Sequence, residues 1–257
     1  MLQTRIIPVL LMHKNALYKT VKYKNPIYVG DPINAIKIFN EKEVDELIIV
    51  DIDASKNNME PNYKFIEDVA SECFMPLCYG GGIKTVDQAS KIYSIGVEKI
   101  AIENGGLGKT SLITDISNIY GAQSLVGSVS INKNIFGKLK VYDHVQGKNL
   151  KIDPIGHVKK LISDGAGEIF VNTVYKDGTM TGYDIEFLKT ISESINVPMI
   201  ACGGAATLED CQKVIKETEV SALGAGSMFV FHGKHKAVLI KYPNRNQIEK
   251  YLGSLNE

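Results

Sequence analysis

The stretch Pro76-Leu-Cys-Tyr-Gly-Gly-Gly-Ile-Lys-Thr-Val-Asp-Gln-Ala-Ser-Lys-Ile92 decides the fold, because a second stretch 122 residues later repeats it. The second stretch reads Pro198-Met-Ile-Ala-Cys-Gly-Gly-Ala-Ala-Thr-Leu-Glu-Asp-Cys-Gln-Lys-Val214. At the same offset, Glu46-Leu-Ile-Ile-Val50 aligns with Glu168-Ile-Phe-Val-Asn172. A repeat of this length indicates duplication of a supersecondary unit.

Each copy of the repeat carries neighbouring glycines at the same point, directly after an apolar run and directly before a helix-like run. They are Gly81 and Gly82 in the first copy and Gly203 and Gly204 in the second. Bare backbone N–H groups at the junction of a strand and a helix can surround a phosphate. Two such sites predict a substrate with a phosphate at each end, or two phosphorylated moieties.

The size and composition exclude several classes of protein. The 257 residues fit one (β/α)8 barrel, and the hydrophobic (44%) and charged (23%) fractions are typical of a globular domain. The 29 basic and 29 acidic residues cancel, so charge does not support a nucleic-acid or membrane partner. No apolar run reaches the roughly 18 residues that span a bilayer. The cysteines lack metal-ligand spacing, so we expect a cytoplasmic protein with reduced thiols and neither metal nor cofactor.

Short β-branched runs alternate with amphipathic helical stretches, which is typical of parallel α/β folds. Strands are predicted at 5–11, 46–52, 76–79, 99–102, 124–130, 168–174, 198–202 and 220–225. Helices are predicted at 32–39, 62–72, 85–95, 110–119, 154–163, 185–194, 208–216 and 246–252. We therefore expect a single (β/α)8 TIM barrel domain over residues 1–257, with half-barrels of about 1–122 and 123–257.

Two connections are unusually long and follow equivalent strands of the two halves. They are the loops 12–30 and 131–153, and the second contains Gly137-Lys-Leu-Lys-Val-Tyr-Asp143, which can form a small hairpin. Long connections at the carboxyl ends of barrel strands are where such enzymes hold substrate.

Motifs spread along the chain resemble one family. They are RII (5–7), DELIIVDI (45–52), GGGI (80–83), SLIT (111–114), GAGEI (165–169), DGTMTGYD (177–184) and GGA (203–205). Over essentially its whole length the chain resembles the cyclase subunit of imidazole glycerol phosphate synthase, the HisF-like family of histidine biosynthesis. The resemblance implies a barrel that arose by half-barrel duplication and binds a phosphorylated small molecule.

The resemblance also implies which residues form two phosphate sites. At one end it points to Gly81 and Gly82 with Asn104 and Lys19. The positions implied at the other end are Asp177, Gly178, Gly203, Gly204, Gly226 and Ser227. Most of them offer a backbone N–H, amide, hydroxyl or ammonium group, whereas the aspartate could contact a phosphate only through its backbone.

A charged ring at the amino-terminal mouth of the barrel is a further implication, since in the family ammonia enters there from a glutaminase (HisH-like) partner. The corresponding residues are Arg5, Glu46, Lys99 and Glu168, each at the start of a predicted strand. Charged side chains inside a narrow barrel end must pair, because an isolated buried charge costs several kcal/mol. The alternative interpretation is that the four residues only close the bottom of the barrel.

The acid and base of the family's reaction are missing. The family supplies them as two aspartates at the carboxyl ends of the first and fifth strands, where this chain has Leu11 and Ser130. Leucine cannot transfer a proton, and an unactivated serine hydroxyl is a poor substitute for a carboxylate near neutral pH. Losing both groups is expected to cost several orders of magnitude in rate.

Other carboxylates are candidates for relocated acids and bases. Asp51 and Asp177 belong to the family background, so a relocation would depend on Asp53 and Glu103. His13 lies just beyond the first strand, near the lost aspartate, but a lone histidine in a loop is more often solvated than catalytic.

A retained ring combined with absent aspartates resembles the branch of the family that accompanies a glutaminase-like paralogue and is associated with acetamidino groups on bacterial surface sugars. That resemblance implies a subunit that channels glutamine-derived ammonia to an ATP-dependent sugar amidotransferase. The alternatives are a cyclase with relocated acids, a non-catalytic scaffold for a glutaminase, and the related sugar-isomerase barrel. The isomerase also needs two aspartates at these strand ends, so the same losses disfavour it.

Overall fold

The computed structural model describes residues 4–108, 111–233 and 235–253, without the side chains of residues 104 and 105. Parallel strands form a closed barrel in which each strand is followed by a helix. The barrel strands are β1 (Arg5–His13), β2 (Leu47–Asp51), β3 (Leu77–Gly80), β4 (Lys99–Ile102), β5 (Leu125–Lys133), β6 (Glu168–Thr173), β7 (Met199–Cys202) and β8 (Ala222–Ala225).

The pairing of strands across the two halves closes the barrel. β8 pairs in parallel with β1, where Arg5 lies opposite Ala222. β5 pairs in parallel with β6, where Val126 lies opposite Glu168. The predicted (β/α)8 fold is confirmed, and the strand ends differ from the predicted ones by at most three residues, as is usual for element boundaries. Glu46, for example, directly precedes β2 rather than beginning it.

The barrel helices lie outside the strands, and the order predicted from the sequence is confirmed. They are α1 (Pro32–Glu41), α2 (Tyr63–Glu72), α3 (Val86–Ser94), α4 (Leu112–Tyr120), α5 (Pro154–Ser163), α6 (Ile185–Ser192), α7 (Leu208–Glu217) and α8 (Arg245–Leu252). Most begin with a side-chain cap: Asp31 accepts a hydrogen bond from the N–H of Asn34, and Asp153 accepts one from that of Gly156. Shorter helices follow β4 and β8, at Asn104–Leu107 and Ser227–Val230.

The apolar core has two layers because each strand is buried on both faces. The outer layer fills the space between the strands and the helices. The inner layer fills the barrel and consists of Ile7, Val9, Ile48, Cys78, Val126, Phe170, Ile200, Cys202 and Ala222. The inner layer positions the site, because it ends below the carboxyl ends of the strands. Among the described residues, no helix is both long and apolar enough to cross a lipid bilayer.

The two long connections are more ordered than the sequence indicates. The first arm is the hairpin of strands Ala16–Val21 and Lys24–Gly30, and its first strand continues the sheet antiparallel to β1. The second arm consists of strands Leu139–Asp143 and Lys148–Asn149, and its first strand pairs antiparallel with the end of β5. The prediction of 12–30 as a loop was therefore wrong: β1 extends to His13, and its upper end has a free edge that the returning chain covers.

The backbone at Gly204 has a positive φ and leaves no room for a side chain. Its φ is +104°, and a Cβ atom built there would lie 2.2 Å from the carbonyl oxygen of Gly182. Gly96 has a similar φ of +107°, but a Cβ atom there would meet nothing within 4 Å. The two positions therefore share one backbone conformation and differ in the space around it.

We predict that Gly204→Ala lowers the free energy of unfolding more than Gly96→Ala. The shared backbone strain costs about 1–3 kcal/mol, and the clash at Gly204 adds about 1–3 kcal/mol. Urea unfolding of both variants, followed by far-UV circular dichroism, measures the difference. Equal losses in the two variants would show that the contact with Gly182 is relieved without cost.

Candidate functional site

A cavity of about 190 Å³ opens at the carboxyl ends of the barrel strands. Its floor is the apolar inner layer, including Ile48, Cys78 and Phe170. Its upper wall carries the polar groups, which come from the strand ends, from the connection after β2 and from both arms: Thr20, Tyr23, Asp51, Ser55, Lys56, Glu103, Tyr142, His144 and Asn172. The polar groups are thus placed where a ligand enters, above an apolar base.

Leu11 and Ser130, where the resemblance implies aspartates, have different surroundings. Leu11 lines the cavity, so one side of its upper wall is apolar. Ser130 is 1% exposed and does not line the cavity. Its hydroxyl lies 2.8 Å from that of Tyr23, and its backbone N–H donates to Oε1 of Glu103 at 3.0 Å. Neither position offers a carboxylate to a ligand, in agreement with the sequence.

Glu103 and His144 form an acid–base pair in the cavity wall. Glu103 follows β4 and His144 belongs to the second arm, and His144 Nδ1 lies 3.5 Å from Glu103 Oε2. Burial raises the pKa of Glu103, but contacts with His144 and Ser130 outweigh it, so the pKa is lowered. Burial lowers the pKa of His144, but the Glu103 carboxylate outweighs it, so that pKa is raised. The pair therefore favours a carboxylate beside an imidazolium.

A hydrogen-bonded chain runs across the barrel from Glu103 through Ser130. The hydroxyl of Tyr23 accepts from Nδ2 of Asn172 at 2.9 Å and lies against Ser130. Burial raises the pKa of Tyr23 well above its usual value, and the charge of Glu103 adds to this effect. A neutral tyrosine from the first arm therefore connects strands β5 and β6.

Asp51 and Asp53, two of the remaining candidate acids, are neighbours but differ in their access to the cavity. Asp51 lines the cavity, and one of its oxygens accepts from the N–H groups of Asp53 and Ala54 at 2.9 and 3.1 Å. Burial is the largest influence on Asp51 and raises its pKa. Asp53 does not line the cavity, and its carboxylate lies 2.8 Å from Nδ1 of His13 and accepts from the N–H of Lys14. Burial raises the pKa of Asp53, but these two contacts outweigh it and the pKa is lowered. The contacts of Asp53 with His13 and Lys14 thus hold the start of the first arm in place.

Lys19 lies beside Gly226, in the second group of residues implied as a phosphate site, and not beside Gly81 and Gly82, where the sequence analysis placed it. Its side chain is buried and donates to the carbonyl of Val9, and a Cβ atom built at Gly226 would lie 2.1 Å from its Nζ. Burial lowers the pKa of Lys19 to about 8, against the opposing charge of Asp177. Burial likewise raises the pKa of Asp177, whose carboxylate accepts from Thr20 at 3.2 Å. Lys19 reaches Gly226 because the first arm runs back across β1 towards β8.

The glycines singled out in the sequence lie at two separate points of the rim. Gly81 and Gly82 line the cavity, and the N–H of Gly82 donates to Ser55 Oγ at 3.1 Å. The side chain of Asn104 lies outside the described residues. Gly203 and Gly204 directly follow β7, which pairs with β8, the strand before the short helix that begins with Ser227. Gly178 lies at the same end of the barrel, because its neighbour Asp177 accepts a hydrogen bond from the N–H of Lys22 in the first arm. The residues at this end are Asp177, Gly178, Gly203, Gly204, Gly226 and Ser227.

The four charged residues at the amino-terminal mouth form a closed ring of ion pairs. Arg5 contacts both Glu46 and Glu168. Lys99 Nζ lies 3.1 Å from Glu46 and 2.8 Å from Glu168. The two carboxylate side chains are only 3% and 7% exposed, so each needs its two cations. The ring is thus a fully paired layer across the barrel end.

The ring lies directly below the cavity. Side chains two positions apart on a strand share one face and are separated by about 7 Å along it. The next inward-facing residues after the ring residues of β2, β4 and β6 line the cavity: Ile48, Ala101 and Phe170. One layer of side chains therefore leads from the charged ring to the cavity. In the part of the chain that the structure describes, no group of three histidine, cysteine or carboxylate side chains can hold a metal ion.

A family model described as "Histidine biosynthesis protein" matches residues 5–236. The chain belongs to this family. The match includes both glycine repeats and all four ring residues, and it confirms the HisF-like resemblance found in the sequence.

Relatives of the same family match along nearly their whole length. A protein from Pseudomonas aeruginosa, provisionally named imidazole glycerol phosphate synthase subunit hisF2, is 51% identical over 249 residues, 97% of this chain and 99% of the relative. A Vibrio vulnificus protein, provisionally named subunit hisF3, is 46% identical and covers 98% of this chain and 97% of its own. The subunit HisF of that synthase from Streptococcus mutans is 33% identical, covering 89% and 91%.

His144 is the site residue that sequence reasoning missed. The signal was its place in the predicted hairpin of the second long connection, directly after Asp143. Nothing in the sequence pairs it with Glu103, which lies 41 positions earlier and in the other half of the repeat.

We predict that Glu103→Gln lowers the pKa of His144. With the carboxylate gone, burial is the largest remaining influence and disfavours the imidazolium. Because the folded-state pKa of His144 is raised, its pairing stabilises the fold below about pH 6.5 and is lost as the pH rises through that pKa. Glu103 has a lowered pKa, so its pairing stabilises the fold above about pH 4.5, and this stabilisation is lost as the pH falls through the folded-state pKa of Glu103. NMR titration of the histidine ring protons measures the shift.

The matched control is Asp53→Asn, which removes the carboxylate beside His13 and leaves Glu103 in place. The His144 titration should be the same in this control as in the unmodified protein. An unchanged His144 pKa in Glu103→Gln would mean that the two side chains do not pair in solution.

Proposed function

We propose that the chain is the ammonia-channelling subunit of a glutamine-dependent amidotransferase complex, with a glutaminase subunit at the amino-terminal face of the barrel. The complex converts an acetamido group to an acetamidino group on a bacterial surface sugar. One observation carries the proposal: the complete charged ring lies one layer below a cavity from which both family aspartates are absent.

The ring supports a path for ammonia because ion pairs are not needed merely to close that end of the barrel. A set of ion pairs gives little net stability over apolar packing, since desolvation offsets the attraction. Closing the barrel bottom alone would be served equally well by apolar residues. Four charged residues from four strands are therefore better explained by a role in selecting or admitting a small polar molecule.

The layer above the ring favours neutral ammonia. Ile48, Ala101 and Phe170 offer no charged group, and a buried ammonium ion without a partner is strongly disfavoured. Ammonia therefore travels as NH3 and reaches the polar upper wall of the cavity. In the proposed reaction, ATP activates the amide oxygen of the acetamido group on a separate amidotransferase. Ammonia then forms the new carbon–nitrogen bond, and the activated oxygen leaves. The acetamidino product and the sugar carrier come from the resemblance alone.

We predict that Lys99→Met abolishes glutamine-dependent product but leaves complex formation intact. The variant keeps the length of the side chain but leaves two carboxylates with one cation, Arg5, so the ring rearranges. Breaking such a buried set costs about 3–5 kcal/mol of stability, so folding is verified by thermal unfolding. The assay reconstitutes the chain with its glutaminase and synthetase and compares glutamine with ammonium salt as nitrogen donor.

The matched control is Lys42→Met, an exposed lysine in the turn before β2 on the same face of the barrel. A complex that contains this control should make product from glutamine and from ammonium salt in the same ratio as the unmodified complex. If Lys99→Met also keeps full glutamine-dependent activity, the chain is a scaffold that organises the glutaminase without conducting ammonia.

The second candidate function is the cyclase reaction of imidazole glycerol phosphate synthase, the enzyme named by the relatives. The observation that favours it is the Glu103–His144 pair in the cavity wall, which provides a carboxylate and an imidazolium where proton transfer is needed.

The cyclase assay with ammonium salt and the phosphorylated aminoimidazole precursor separates the two functions. We expect no product, because Leu11 and Ser130 transfer no proton to the ligand. Product at an enzymatic rate that falls about 100-fold or more in Glu103→Gln would overturn the proposal and establish a cyclase with relocated acid and base.

A further inference from the structure

A second cavity, of about 280 Å³, lies between the two arms, outside the barrel mouth. We call it the inter-arm pocket. The first arm contributes two residues to it, and the second arm, with the adjoining strand ends, contributes the rest. Its lining residues are Lys22, Lys24, Asn132, Tyr142, Gly147, Lys148, Asn149 and Val174.

The inter-arm pocket has a concentrated positive charge. Three of its lining residues are lysines, and none is acidic. Within the described ranges, no carboxylate lies within ion-pair distance of Lys22, Lys24 or Lys148, although other surface lysines have such partners. The chain as a whole has no net charge, so this local excess does not reflect a basic surface in general. A concave site lined by one sign of charge attracts ligands of the opposite sign.

The backbone beneath these lysines is held in place. The N–H of Lys22 donates to the carbonyl of Asp177 at 2.9 Å, which fixes the turn of the first arm. The ring of Tyr23, between the two lysines of that turn, packs edge-on against Tyr142 of the second arm at 6.1 Å between centroids. Asn149 Nδ2 donates to the carbonyl of Lys133 at 3.3 Å. These contacts join the two arms and anchor the turn that carries Lys22 and Lys24.

The inter-arm pocket also adjoins the main cavity. Tyr142 lines both, and Tyr23 lines the main cavity while its two chain neighbours line the inter-arm pocket. A molecule in the inter-arm pocket therefore lies beside the polar wall that carries His144 and Glu103.

We infer that the inter-arm pocket binds a phosphorylated small molecule that carries at least two negative charges. Ammonium groups form charge-assisted hydrogen bonds to phosphate oxygens from several directions. The amide of Asn132 and the ring of Tyr142 offer a polar and a flat contact for the sugar or base attached to the phosphates. The site is distinct from both glycine-rich rims, and it does not depend on the proposed transfer of ammonia.

The test uses inorganic pyrophosphate as the probe and the full chain as the protein. Lysines are acetylated briefly with and without pyrophosphate, and the extent at each lysine is read by mass spectrometry. Calorimetric titration then compares the unmodified protein with K24Q/K148Q. The matched control is K213Q/K216Q, which removes the same charge from two exposed lysines on α7.

We expect pyrophosphate to protect Lys24 and Lys148 but not Lys213. We also expect the dissociation constant to rise about tenfold or more in K24Q/K148Q, since each charge-assisted contact contributes appreciably, and to stay unchanged in the control. Protection confined to Lys19, which lies at a glycine-rich rim, would overturn the inference. Equal weakening in both double variants would also overturn it, because binding would then follow overall charge. No glutamine or partner is present, so a negative result leaves the ammonia proposal standing.

Discussion

The pairing of four charges inside one end of the barrel is the constraint on which the rest of the structure depends. Arg5 bridges a carboxylate from each half of the repeat, and Lys99 does the same from the opposite side. The ring closes only when the starts of β1, β2, β4 and β6 lie at one level. A slip of one residue in any of these strands would turn its charge outwards and leave the others unpaired. The ring therefore specifies strand register while contributing little net stability.

Because the ring fixes the strand register at the amino-terminal end of the barrel, the side chains at the carboxyl ends of the strands are free to vary. The inner apolar layer separates the ring from the strand ends, so side chains can change there without disturbing register. Leu11 and Ser130 stand where the resemblance implies an acid and a base, and a Glu103–His144 pair lies in the cavity wall. Substitutions at the top of a barrel alter chemistry, whereas those at the bottom alter assembly and stability.

The sequence predicted the barrel well because the fold depends on local, periodic signals. Alternation of strand and helix patterns, helix-capping residues and an internal repeat all report on short segments or on a fixed offset. The ring could be predicted because the family resemblance points to four charged residues, which stand at or directly before the starts of four strands. The sequence indicated the hairpin of the second arm, but not the strands of the first arm or the pairing of either arm with the barrel, because that pairing depends on edges that appear only when β1 and β5 extend beyond the barrel. The His144–Glu103 pair and the place of Lys19 depend on the arms, so they too lay beyond sequence reasoning.

The arms have an evolutionary consequence. Each begins as a continuation of a barrel strand and returns antiparallel to it, so backbone hydrogen bonds between neighbouring strands build most of each arm. The first arm also crosses to the other half, where Tyr23 contacts Ser130, Asn172 and Tyr142, and Lys22 donates to Asp177. The first arm can therefore change only together with the residues that it contacts in the second half, whereas the barrel strands below can stay as they are. A gene duplicate of this architecture can acquire a new ligand through its arms long before its scaffold diverges.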